Sequence, residues 1–105
     1  MSIDKRQHER RDIQLKVVYR SITNFLDDYT ANISIGGCFL STQQPFEMGE
    51  TIELALILPT GQSINATGVV RWISNDGEFP GVGVQFTLLS DKDRRMIERI
   101  VSHNN

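Results

Sequence analysis

A chain of 105 residues, 39% hydrophobic and 23% charged, has the size and balance of one folded domain: too short for two cores, too apolar for a disordered chain. Its net charge of −2 is unevenly spread, with six Lys or Arg against three acids in residues 1–20, five acids and no Lys or Arg in residues 21–70, and five of each in residues 71–105. The single cysteine, Cys38, excludes an internal disulfide framework and a multi-thiolate zinc site, while the absence of both an apolar run of ~18 residues and an apolar leader points to a cytoplasmic protein without membrane insertion.

Residues 1–12 form a basic arm, and a single compact domain over residues 13–105 follows. From Ile13 to Arg20, Ile13, Leu15, Val17 and Tyr19 share one face while Gln14, Lys16 and Arg20 take the other, the alternation of a half-buried strand. A second strand runs from Asp27 to Ile33, and Ile35-Gly36-Gly37 breaks it before Cys38-Phe39-Leu40 opens a third. After the turn at Pro45 and Met48-Gly49-Glu50, Ile52, Leu54, Leu56 and Leu58 alternate with Thr51, Glu53, Ala55 and Ile57. Pro59-Thr60-Gly61-Gln62 reads as a hairpin into the strand Ile64–Ile73, and Val82, Val84 and Phe86 form the last strand. The period then changes: Leu89, Met96, Ile97, Ile100 and Val101 fit one helical stripe, with Ser90 and Asp93 spaced as a capping pair. About six short antiparallel strands and one helix predict an all-β domain, a small closed barrel with a C-terminal α-helix over one end.

Catalysis finds little support in these residues. There is no GxxxxGK(S/T) loop and no HExxH, and the two histidines, His8 and His103, stand at opposite ends of the chain. Cys38 follows a glycine pair at the head of an apolar strand with no histidine placed to activate it, so it reads as a small buried hydrophobe. No metal and no cofactor are expected. Two polar constellations remain. Arg6 and Arg10 lie four residues apart before the first strand, and each guanidinium fork matches phosphate oxygens or guanine O6 and N7. Asn32 and Ser34, two apart on a strand, share a face while Ile33 turns to the core, and Gly36 and Gly37 next to them give a backbone that tolerates positive φ and close approach of a ligand.

RxxxR ahead of a first strand, followed by (D/N)xSxxG before a third, resembles the paired signature of PilZ domains. GGCFLSTQQPFEMGETIELALILP, GVVRWIS, GVGVQF and the closing helix extend the resemblance over nearly the whole chain, and are similar to members built as a lone domain, notably the branch abundant in Myxococcus and its relatives. The resemblance implies a six-stranded antiparallel β-barrel of PilZ type, a bacterial origin, and a non-catalytic receptor for the second messenger cyclic di-GMP. It further implies that Arg6 and Arg10 clamp phosphates and guanine Hoogsteen edges, that Asn32 and Ser34 hydrogen-bond one guanine edge, and that Gly37 leaves room for the base. Asn32 stands where many members have Asp; an amide offers one oxygen and one NH2 where a carboxylate offers two acceptors. Lys5, before the first arginine, sits where the family sets whether one nucleotide or a stacked pair is bound, and that count stays open.

Four residues complete the candidate set, with Lys5 and Gly36 as flanking positions. Arg11 is either a further phosphate contact or neutralised by its neighbour Asp12. Trp72 lies on a strand whose counterpart in some PilZ domains borders the nucleotide, where an indole could stack on guanine, yet its alternation with Ile64, Ala66 and Val70 favours the core. The expected partners are cyclic di-GMP and an unidentified protein target in motility, biofilm or exopolysaccharide control, with the chain a monomer or weak dimer. An alternative is a nucleotide-independent protein-interaction adaptor. Binding of single-stranded DNA or RNA is disfavoured by the acidic middle and the shortage of aromatics.

Overall fold

A computed structural model describes residues 10–20, 25–75, 77–78 and 80–102, with backbone alone at Arg10, Arg20 and residues 25–29. Seven strands and a helix follow in order: β1 (Arg10–Asp12), β2 (Lys16–Arg20), β3 (Phe25–Ser34), β4 (Gly37–Ser41), β5 (Thr51–Ile57), β6 (Ser63–Ser74), β7 (Gly81–Leu89) and α1 (Asp91–Ser102). All strand pairs are antiparallel, in the order β1-β3-β2-β5-β6-β7-β4, and a further pairing of β3 with β4 closes β2 to β7 into a ring of six. The seventh strand, β1, was read from the sequence as the end of the arm. It pairs with Asn32–Ser34 on the same edge of β3 that β2 uses further along.

Alternation fills the ring. Ile52, Leu54 and Leu56 of β5, Ile64 and Val70 of β6, and Val82 and Val84 of β7 are buried, as are Ile33 and Leu40 on β3 and β4. Each such side chain removed from water contributes roughly 1.5–3 kcal/mol. At one end α1 packs on β3, β6 and β1 through Ile97 and Val101. Its start is capped reciprocally: the Asp93 amide donates to Ser90 Oγ at 3.1 Å, and Ser90 Oγ donates to Asp93 Oδ2 at 2.9 Å. Among the described residues no helix is long and apolar enough to cross a membrane.

The break between β1 and β2 is held to β3 by two backbone hydrogen bonds, Ile13 N–H to the Ala31 carbonyl at 3.1 Å and Thr30 N–H to the Leu15 carbonyl at 2.9 Å, and by one hydroxyl. Thr30 Oγ1 donates to the Ile13 carbonyl at 2.7 Å and accepts from the Leu15 amide at 2.9 Å, while β3 bulges between Thr30 and Asn32. Replacing Thr30 by Val leaves the Leu15 amide, in a residue only 3% exposed, without its acceptor, a loss of about 1–3 kcal/mol. Thermal melting of Thr30→Val should show a midpoint lower by roughly 4–8 °C per kcal/mol; an unchanged midpoint would refute the latch.

Candidate functional site

Because Ile33 and Cys38 face the core, the residues flanking them on β3 and β4 lie on the outer face. Register then extends one transverse row across five strands. Asp12 on β1 pairs with Asn32 on β3, Asn32 with Phe39 on β4, Phe39 with Gly83 on β7, and Gly83 with Trp72 on β6. A second row beside it runs Arg10, Ser34, Gly37, Gln85 and Val69. Register therefore brings Arg10, the second arginine of the first motif, to the position opposite Ser34 of the second motif. Lys5 and Arg6 lie outside the described residues.

Trp72 departs from the sequence expectation of a core residue and is 61% exposed. A β-bulge between Val70 and Trp72 inserts Arg71, so that Val70 stays inward and Arg71 and Trp72 both turn out. Arg71 Nε donates to Gln85 Oε1 at 2.8 Å, and the indole meets the Phe39 ring at a centroid distance of 5.5 Å. Sequence reading placed Phe39 only within an apolar strand and missed it as part of this face. The signal was the GVGV run of β7, because glycines two apart on a strand mark a face that another group approaches closely. A side chain on Gly83 would meet the Trp72 ring at 3.2 Å, and one on Gly81 would meet the Phe39 ring at 2.5 Å. The two aromatic rings thus lie over a glycine floor.

The motif glycines and serine are tied into the β3–β4 turn. Ser34, 1% exposed, accepts from the Gly36 amide at 3.2 Å and donates to the Gly37 carbonyl at 3.4 Å, which leaves its oxygen one lone pair. The Gly36 carbonyl accepts from the Phe86 amide at 2.9 Å. Neither Gly36 nor Gly37 adopts positive φ, found at Gly49 and Gly61. A Cβ on Gly37 would run into the Val84 carbonyl, so the space this glycine leaves is filled by β7. Asn32 is half-buried and already engaged within the fold. Arg11 pairs with Ile33 on the ladder and its guanidinium donates to the Ile100 carbonyl at 2.8 Å, at the C-terminal turn of α1 where carbonyls lack helical partners. It is neither aimed at the outer face nor neutralised by Asp12, which points the other way.

A depression of about 630 Å³ lies elsewhere, between β2, β5, β6, the end of β7 and the start of α1, and no motif residue lines it. Its only ionisable carboxylates are Glu53 and Asp93 beside apolar Leu54, Ala55 and Leu88, a lining unsuited to an anion. The outer face, where Asn32, Phe39 and Trp72 share a row and β1 begins beside Ser34, is the better candidate on chemistry.

Comparison with known proteins agrees with the fold. The PilZ domain family model matches residues 4–103. Among curated proteins none matches the chain in sequence. Similar solved structures include the inhibitor of motility MotI/DgrA of Bacillus subtilis, with a TM-score of 0.82 and 24% identity over 94% of this chain and 50% of that one. The PilZ domain of YcgR from Escherichia coli, solved with c-di-GMP, gives 0.76 and 16% over 93% and 89%. The c-di-GMP complex of MrkH from K. pneumonia gives 0.70 and 22% over 93% and 50%. The chain spans half the length of MotI/DgrA and of MrkH, and at these identities the likeness is one of fold.

Proposed function

The chain belongs to the PilZ domain family, and on that premise we propose that it is a non-catalytic bacterial receptor for cyclic di-GMP. The observation that supports the proposal is the register that sets Arg10 opposite Ser34 and aligns Asn32, Phe39 and Trp72 in the adjoining row. Arg6 and Arg10 grip phosphate oxygens and guanine O6 and N7 through their paired donors. Asn32 reads a base edge, Ser34 holds the turn and offers its remaining lone pair, and the Phe39–Trp72 pair gives a base a stacking surface. Lys5 borders the clamp. Arg11 anchors β1 to α1 instead of touching ligand.

Signalling follows from closure of residues 1–9 over the nucleotide against Asn32, Ser34 and Gly37, which forms a new surface for a partner protein in motility, biofilm or exopolysaccharide control. The ligand shifts that equilibrium only by its differential affinity for the two arm states. Calorimetric titration of cyclic di-GMP into the chain tests binding, and amide hydrogen exchange of residues 1–9 tests closure. The sole tryptophan supplies a further expected result: saturable quenching of Trp72 emission during the titration. Trp72→Ala should weaken binding by about 5- to 150-fold, from ~1–3 kcal/mol of stacking. Saturable binding with unaltered emission would remove Trp72 from the site.

A further inference from the structure

We infer that Asp12, outside both motifs, is a second base-reading residue that supplies a carboxylate to the N1–H and N2–H donors of guanine beside the Asn32 amide. The inference rests on the cyclic di-GMP reading and deepens it. Asp12 and Asn32 are directly opposite on the β1–β3 ladder, a relation that sets Cβ atoms about 4.5–5.5 Å apart on one face. That face is the outer one, since the adjacent ladder pair, Arg11 and Ile33, is turned inward with Ile33 fully buried. Asp12 is exposed, and among the described residues its carboxylate has no ion pair or hydrogen bond. The neighbouring cation, Arg11, is committed to the Ile100 carbonyl on the opposite side.

The chemistry of the two partners is complementary. Guanine presents two adjacent donors on its Watson–Crick edge, and two acceptors are needed to satisfy both. An amide brings one acceptor oxygen, so Asn32 alone leaves one donor unmet, whereas a carboxylate accepts two parallel N–H bonds. Adenine presents a ring acceptor at N1, which a carboxylate would repel, so the same residue sets base selectivity. On the cyclic di-GMP reading Arg10, at the register position opposite Ser34, supplies the cation that lets a carboxylate stand beside an anionic ligand.

Calorimetry with three probes separates this inference from the reading beneath it: cyclic di-GMP, cyclic di-IMP, which lacks the N2 amine, and cyclic di-AMP. The wild type should favour cyclic di-GMP over cyclic di-IMP by about 10-fold or more, and Asp12→Asn should lose about 10-fold for cyclic di-GMP while the ratio between the two falls toward one. Because Asp12 is exposed, the ligand-free melting point of the variant should match the wild type. If Asp12→Asn and Asp12→Ala keep both the wild-type affinity and the wild-type ratio while Arg10→Ala weakens binding, Asp12 does not read the base and the receptor reading stands. If the wild type binds none of the three, the receptor reading itself fails.

Discussion

Alanine at position 10 is expected to weaken cyclic di-GMP binding by about 5- to 150-fold, the ~1–3 kcal/mol of one paired guanidinium contact, with little change in the ligand-free melting point. The separation is expected because Arg10 enters β1 through backbone pairing with Ser34, which alanine preserves. Arg10→Lys keeps the charge but not the planar fork, and should recover only part of the loss. Titration heats for the three proteins, read with ligand-dependent melting, check the prediction: cyclic di-GMP at ~100 times its dissociation constant should stabilise the wild type by about 2.7 kcal/mol. Equal affinities for wild type and Arg10→Ala would rule out the clamp. An adaptor independent of nucleotide makes the opposite forecast, with a melting point indifferent to cyclic di-GMP and a partner that still co-purifies with the Arg6→Ala, Arg10→Ala double variant.

How far the molecule is legible in its sequence depends on where the strand period holds. On β5 it holds without interruption, and Ile52, Leu54 and Leu56 are buried as their alternation requires. The end of the barrel is equally plain, because the Ser90–Asp93 capping pair and the stripe through Ile97 and Val101 are local signals. Two bulges defeat the same rule. One at Val70/Trp72 turns the indole from the expected core to the surface, and one at Thr30/Asn32 shifts β3. A bulge is set by the partner strand, and no property of Arg71 or Ala31 alone announces it. The division of labour in β1 was hidden for a related reason. Arg10 and Arg11 are both cations in a basic stretch, and only pairing with β3 reveals that Arg10 takes the register position opposite Ser34 while the Arg11 guanidinium turns to the Ile100 carbonyl.

The last expected result separates what the motif does for the fold from what it does for a ligand. Gly37→Ala should destabilise the ligand-free domain by about 1–3 kcal/mol or more, the range for forcing atoms into a filled space, lowering its melting point on the order of 10 °C. The added methyl would collide with the Val84 carbonyl and come within 3.1 Å of Val84 C and 3.2 Å of Gln85 Cα. All three are backbone atoms of β7, so no side chain can rotate away. Relief requires the β4–β7 ladder to part, which loosens the Gly37–Gln85 pair and the Phe86 amide bond to Gly36. Gly77→Ala serves as the control, since a Cβ there meets nothing within 4 Å, and its melting point should stay within about 2 °C of wild type. Binding measured well below the melting point of Gly37→Ala should be retained if this glycine serves barrel closure alone. A normal melting point with lost binding would show instead that Gly37 is there to admit the base.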